Sequence, residues 1–274
     1  MKRILVPTDF SNQAENALKV AAQIAKKHDC DIYLLHMLEM PMQEIDPLGS
    51  HSPLPEAMFF MKLTHKKFDS LTTKAYLNGI HVHELVDFQE VFKGIFHTCK
   101  KHQIDLIVMG SNGSSGLREM LIGSNTEKVV RTSETPVLVV KKEHAVFNVG
   151  HFVFASNFEN ESKDAFKKAI NFSNLFGAKM HLLLVNTPNM FVTTEETNAR
   201  MDNYTKLINS TPYSLNVYND LSIEKGIMNF SQSIGADLIG MSTHGRQGLS
   251  HFFNGSISED LVNHAKRPVM TFKI

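Results

Sequence analysis

Cysteine is scarce in this chain. Its 274 residues hold only Cys30 and Cys99, with no C-x-x-C pair. That excludes a disulfide framework and the usual cysteine metal or redox motifs, and it suits reduced thiols in a cytoplasmic protein. An excess of one charge is missing too, since 28 Lys+Arg balance 28 Asp+Glu. Without a basic face there is no broad surface for nucleic acid or for an anionic membrane. Long apolar runs are also lacking. Ile4-Leu5-Val6-Pro7 stops at Asp9, too short for a signal peptide, and no later run approaches the ~20 residues that span a bilayer. Three nucleotide loops of known enzymes are absent: Gly-x-x-x-x-Gly-Lys-Ser/Thr, Ser-Gly-Gly-x-Asp-Ser and His-x-Gly-His.

What the sequence does contain is a repeat. Asp105-Leu-Ile-Val-Met-Gly-Ser-Asn-Gly113 resembles Asp237-Leu-Ile-Gly-Met-Ser-Thr-His-Gly245, 132 residues later. The same spacing carries Lys93-Gly94-Ile95 to Lys225-Gly226-Ile227 and Gly123-Ser124 to Gly255-Ser256. Nearer the start the spacing is 148, matching Val6-Pro-Thr-Asp-Phe10 to Phe154-Ala-Ser-Asn-Phe158. The first half therefore holds 16 residues that the second lacks, and the Pro-containing run 41–56 is the place for them. It reads equally well as a lid, a dimer arm or a surface loop. Duplication of one domain explains the chain, with units at 1–143 and 148–274.

Each half alternates apolar strands with amphipathic helices. In the first, strands are expected at 4–7, 32–37, 81–86, 104–109 and 136–140. Helices are expected at about 12–28, 56–77, 89–102 and 124–131. In the second, strands are expected at 151–155, 179–185, 214–219, 237–241 and 268–273, and helices at 161–176, 194–209, 222–234 and 256–265. Alternation of this kind implies a parallel sheet covered on both faces. The expected fold is α/β: two tandem doubly wound domains, each a five-stranded parallel sheet flanked by helices. The closing strands 136–141 and 268–273 are the natural edges to pair, because an exposed apolar edge is a liability. That would make the chain an intrachain pseudo-dimer, and further self-association to a homo-oligomer is expected.

The chemistry lies in Gly110-Ser111-Asn112-Gly113, then nine residues, then Gly123-Ser124. The segment follows a strand and opens a helix. Glycine allows positive φ and close backbone approach. Unpaired amides at the helix start and the helix dipole favour phosphate. The Ser124 hydroxyl can reach a phosphate oxygen or a bound Mg²⁺.

This G-2x-G-9x-G-(S/T) spacing resembles the nucleotide-binding signature of the universal stress protein family. Val6-Pro7-Thr8-Asp9 and Leu35-His36-Met37 resemble that family as well. The resemblance covers both halves and implies the adenine nucleotide alpha-hydrolase-like fold, dimerisation through the last strand, and a role in stress response. Some members bind ATP, and the glycine signature separates them from those that do not. Carried over, Pro7, Thr8 and Asp9 would face the adenosine and Met37 would line the adenine pocket. Gly110, Ser111, Gly113, Gly123, Ser124 and Asn125 would hold ribose and phosphates. The second half departs from the pattern, with Ala155, Asn157 and Ser242 in place of Pro7, Asp9 and Gly110. It should bind nucleotide weakly or not at all.

No catalytic residue is expected, because no paired carboxylates flank the glycine segment to place metals for phosphoryl transfer. Slow ATP hydrolysis, or a nucleotide-free tandem scaffold, stay open as alternatives. His81-x-His83 puts two imidazoles on one strand face, but no third ligand is evident and no metal site is expected. His36 reads as a satisfied core histidine, and Phe59-Phe60-Met61 with Leu63 as a packed helix face. His244 and Arg246 read either as anion contacts or as solvated loop residues.

Overall fold

The computed structural model describes residues 1–38, 54–111, 123–243 and 255–274. The expected insert 41–56 lies outside these but for its last three residues. Asn112, Gly113, His244, Gly245 and Arg246 also lie outside them.

The first half runs β1 (Arg3–Pro7), α1 (Asn12–His28), β2 (Asp31–Met37), α2 (Leu54–Thr72), β3 (Val82–Asp87), α3 (Val91–His102), β4 (Leu106–Gly110), α4 (Ser124–Thr132) and β5 (Val137–Val140). The second repeats the order: β6 (His151–Ala155), α5 (Lys163–Phe176), β7 (Lys179–Asn186), α6 (Thr194–Thr205), β8 (Tyr213–Asn219), α7 (Ile223–Ser233), β9 (Leu238–Thr243), α8 (Gly255–His264) and β10 (Val269–Lys273). Local chemistry sets many of these limits. Ser11 caps α1 by accepting from the Ala14 amide, Thr193 and Ser222 do the same for α6 and α7, and left-handed Gly177 ends α5. The basic triplets Lys26-Lys27-His28 and Lys100-Lys101-His102 fall in the last turns of α1 and α3, where cations suit the dipole.

Several expectations need correcting. The helix expected to run to 77 ends at Thr72, and a separate 3-10 turn covers Ala75–Leu77. The helix expected over 194–209 ends at Thr205, and the one expected from 161 begins at Lys163, after a 3-10 turn over Asn160–Ser162. Phe59 and Leu63 are not a packed face. They are exposed, as is Met58, whereas Phe68 and Leu71 of the same helix enter the core.

Among the described residues ten strands form one sheet, in the order β3-β2-β1-β4-β5-β10-β9-β6-β7-β8. Every neighbouring pair is parallel except β5 and β10, which run antiparallel. At that seam Leu138 faces Met270, Val137 faces Thr271 and Val139 faces Val269. Leu138 and Met270 stand 132 residues apart, the spacing of the repeat, so the pseudo-two-fold axis passes between them. The closing strands are therefore used up inside the chain. Two apolar layers cover the sheet, and each runs unbroken across the seam. One joins α1, α2, α5 and α6 to Val6, Leu34, Leu138, Phe154 and Met270. The other joins α3, α4, α7 and α8 to Leu5, Ile107, Val139, Val153 and Met241. Among the described residues no helix is long and apolar enough to cross a membrane.

Candidate functional site

In the first half β1 lies between β2 and β4. The chain leaves β1 toward β2 on one side, and β4 stands on the other. The order therefore reverses here, and it is at the carboxyl ends of such a reversal that doubly wound sheets take ligands. Pro7, Thr8 and Asp9 end β1. Met37 ends β2, and Gly110 and Ser111 end β4. Gly123, Ser124 and Asn125 begin α4. Apart from Gly113, which lies outside the described residues, every candidate falls at this end of the sheet.

The β1 exit is a constrained turn. Phe10 sits at φ 63°, a left-handed conformation unfavourable for a large side chain. Contacts on several sides hold it. Its amide donates to Thr8 Oγ1 at 3.0 Å. Its ring packs on His36 and Phe68, with centroids 4.7 and 5.2 Å away. Thr8 is fixed in turn, its amide donating to the Leu35 carbonyl at 2.8 Å. The turn leaves Asp9 exposed at the mouth, its Oδ1 accepting from the Ser11 amide at 3.0 Å. Phe158 repeats the left-handed conformation at φ 55° in the second half. The spacing of the two phenylalanines was visible in the sequence, but their strain was not.

The glycines act differently from the expectation of positive φ. Neither Gly110 nor Gly123 is left-handed. A methyl group on Gly110 would fall 2.6 Å from the carbonyl oxygen of Gln13 and 2.8 Å from its carbon. The end of β4 thus lies directly on the first turn of α1, and only glycine fits. Gly123 is the N-cap of α4 at φ −64° and ψ 146°, and among the described residues no side chain caps that helix. The amide of Gly123 returns to the Ser111 carbonyl at 2.7 Å. Thr126, one turn into α4, donates to the Gly110 carbonyl at 3.0 Å. Strand end and helix start are thereby tied together, and Ser124 and Asn125 stay exposed. Met37 turns its thioether into the notch left by Gly94 of α3. Gly226 leaves the same notch for Val185.

The second half keeps the frame and changes the mouth. Asn157 is fully buried, unlike Asp9. Arg200 of α6 donates to the Asn157 carbonyl at 3.3 Å and pairs with Glu159, and the Tyr204 hydroxyl donates to the Glu159 carbonyl. Ser242 occupies the position of Gly110, and α5 opens with a 3-10 turn over Asn160–Ser162 where α1 is already α-helical. A side chain at this position and a loosened first helical turn occur together. Asn157 Nδ2, Ser242 Oγ and Thr243 Oγ1 are buried without hydrogen-bond partners among the described residues.

His36, beside the first-half mouth, fits the expectation of a satisfied histidine. Its Nδ1 lies 2.8 Å from the Thr8 carbonyl, so the neutral ring donates there. Burial lowers its pKa, and burial is likewise the leading cause for His28, His102, His144 and His181. The unfolded chain thus binds more protons than the folded one once the pH falls toward the ordinary value of 6.5. Stability should be full above that value and decline below it. The thermal midpoint should fall between about pH 7.5 and about pH 5.5, and a flat profile would contradict the lowered values.

The sequence model of the universal stress protein family matches residues 1–141 and 220–273. The universal stress protein MJ0531 of Methanocaldococcus jannaschii is 33% identical over 150 residues, which are 52% of this chain and 82% of that one. A universal stress protein of Synechocystis is 24% identical over 100% of both chains. Among solved structures, a universal stress protein from Archaeoglobus fulgidus superposes with a TM-score of 0.70 at 19% identity, covering 99% of this chain and 98% of that one.

Proposed function

The chain belongs to the universal stress protein family, and from that premise we propose that it is a regulatory protein that binds ATP in its first half. Residues 1–143 would form the nucleotide-binding unit and 148–274 a degenerate copy. Pro7, Thr8 and Asp9 would meet the adenosine, with Met37 beside the adenine. Gly110, Ser111, Gly113, Gly123, Ser124 and Asn125 would hold ribose and phosphates. The Ser124 hydroxyl is the group available to a phosphate oxygen or to an accompanying Mg²⁺. The protein would act in the cytoplasm, and its output would be a change in partner binding or self-association rather than chemical turnover.

One observation carries this reading. The start of α4 faces the switch point, and among the described residues no side chain caps its first turn. Helix starts present amides with no intrahelical acceptor, and an anion is their natural partner. Support for the first half over the second comes from Asp9, which is exposed where Asn157 is buried behind α6.

Calorimetry with Mg-ATP should find one site per chain. Gly123→Asp separates binding from folding. The backbone at 123 accepts any L-residue, and an aspartate there would cap α4, changing stability by only a few tenths of a kcal/mol. Its carboxylate would occupy the phosphate position, so affinity should fall by at least about 10-fold, about 1.4 kcal/mol. Two equally tight sites would defeat the assignment to the first half. No heat at millimolar nucleotide would leave a tandem scaffold, and steady turnover would indicate an ATPase.

A further inference from the structure

At the opposite end of the sheet, three side chains converge that the nucleotide site does not use. Asp31 opens β2, and His81 stands just before β3, the edge strand of the first half. The register pairs Ile32 with Val82 and Tyr33 with His83, which sets Asp31 beside His81. Alternation along β3 returns His83 to the face of His81. Asp31 Oδ1 lies 3.7 Å from His81 Nδ1, and Asp31 Oδ2 lies 3.6 Å from His83 Nε2. One ligand atom from each residue can be chosen so that all three lie within 4.8 Å of one another.

These separations are too long for hydrogen bonds. His83 Nε2 is buried and has no hydrogen-bond partner among the described residues. Its ring is held by stacking on Tyr33, with centroids 4.4 Å apart and planes at 19°. An oriented imidazole nitrogen with nothing to bond is costly unless an ion or a water completes it. A tetrahedral ion bound at about 2.0–2.1 Å would set its ligand atoms about 3.3–3.4 Å apart. The 3.6 and 3.7 Å run to different oxygens of Asp31, so a bound ion would draw three ligand atoms that now lie within 4.8 Å of one another together by up to about 1.4 Å.

The fold itself does not require these residues. In the second half, Lys179 stands in the place of Asp31 and pairs with the equivalent strand, while Pro212 and Ser214 stand in those of His81 and His83. The same β–β junction forms there without a carboxylate or an imidazole at those positions.

We propose that Asp31, His81 and His83 form a binding site for a divalent transition cation of the zinc class. Two imidazoles and one carboxylate match the nitrogen–oxygen preference of such ions and leave a fourth position to water. The side chain of His81 is 69% exposed, so the ion can enter from solvent. Bound there, it pins edge strand β3 to β2, independently of whether nucleotide occupies the other end of the sheet.

The test is equilibrium zinc titration of the full chain after chelator treatment, read by calorimetry and by thermal unfolding. One zinc per chain is expected, with a rise in the unfolding midpoint as the ion binds. The double variant His81→Ala/His83→Ala should lose that site and the rise, while His264→Ala keeps both. Losing an outer-shell partner of a metal costs about 10-fold or more, so removing a direct ligand should cost at least that. Asp31→Asn provides a second variant of nearly unchanged shape. Wild-type protein that binds no stoichiometric zinc, or equal binding by the double variant and Asp31→Asn, overturns the proposal.

Discussion

Gly110→Ser should weaken ATP binding and stability together. The new Cβ would stand 2.6 Å from the Gln13 carbonyl oxygen and 2.8 Å from the Gln13 carbonyl carbon. Both are backbone atoms of α1, which cannot swing aside as a flexible side-chain tip can. The first turn of α1 must move, and overpacking of this kind costs about 1–3 kcal/mol. The movement carries the β1 exit with it, because Ser11 caps α1 and the Ser11 amide is bonded to Asp9. On the proposed function, affinity for ATP should fall by at least about 10-fold. The second half already has a serine at this position and a 3-10 turn at the start of α5. Chemical unfolding and calorimetry on the same samples check both parts. Unchanged affinity with unchanged stability would mean that the strand end and α1 are not in tight contact.

Met270→Asp should be among the most damaging single changes in the molecule. Met270 is 1% exposed and faces the fully buried Leu138 across the seam. A carboxylate there has no cation opposite it, and an unpaired buried charge costs several kcal/mol. Both apolar layers cross this seam, so the damage is not confined to one half. At roughly 2–4 °C per kcal/mol, the thermal midpoint should drop by about 10 °C or more. Met270→Leu keeps the volume and should change it little. A midpoint for Met270→Asp within a few degrees of wild type would show that the seam contributes little to stability.

The comparison between halves shows why some features could be read early and others could not. Strand and helix order followed from apolar periodicity and from caps such as Ser11 and Gly177, which act within a few residues. The end of α2 was misplaced because 73–77 keeps helical composition while the chain switches to a 3-10 turn. Phe59 and Leu63 look like core residues in isolation, and only the packing of Phe68 and Leu71 shows which face of α2 is covered. The glycine spacing pointed to the carboxyl end of β4, but the positive φ it suggested is not found at Gly110. Its partner is the Gln13 backbone, 97 positions earlier in the chain, and no local rule reports that contact. Asp31 lies 50 positions from His81, and only the β2–β3 register brings it beside His81 and His83.

Taken alone, the order of residues determined the duplication, the alternation of strands and helices, and the placing of a glycine-rich segment between a strand and a helix. All of these depend on spacing and on interactions along a few turns of chain. The tertiary structure decided which edges meet at Leu138 and Met270, why residue 110 must be glycine, and why Asn157 is covered where Asp9 is open. Those outcomes depend on atoms far apart in the chain approaching within a few ångströms, and such approaches are set by close packing of whole elements.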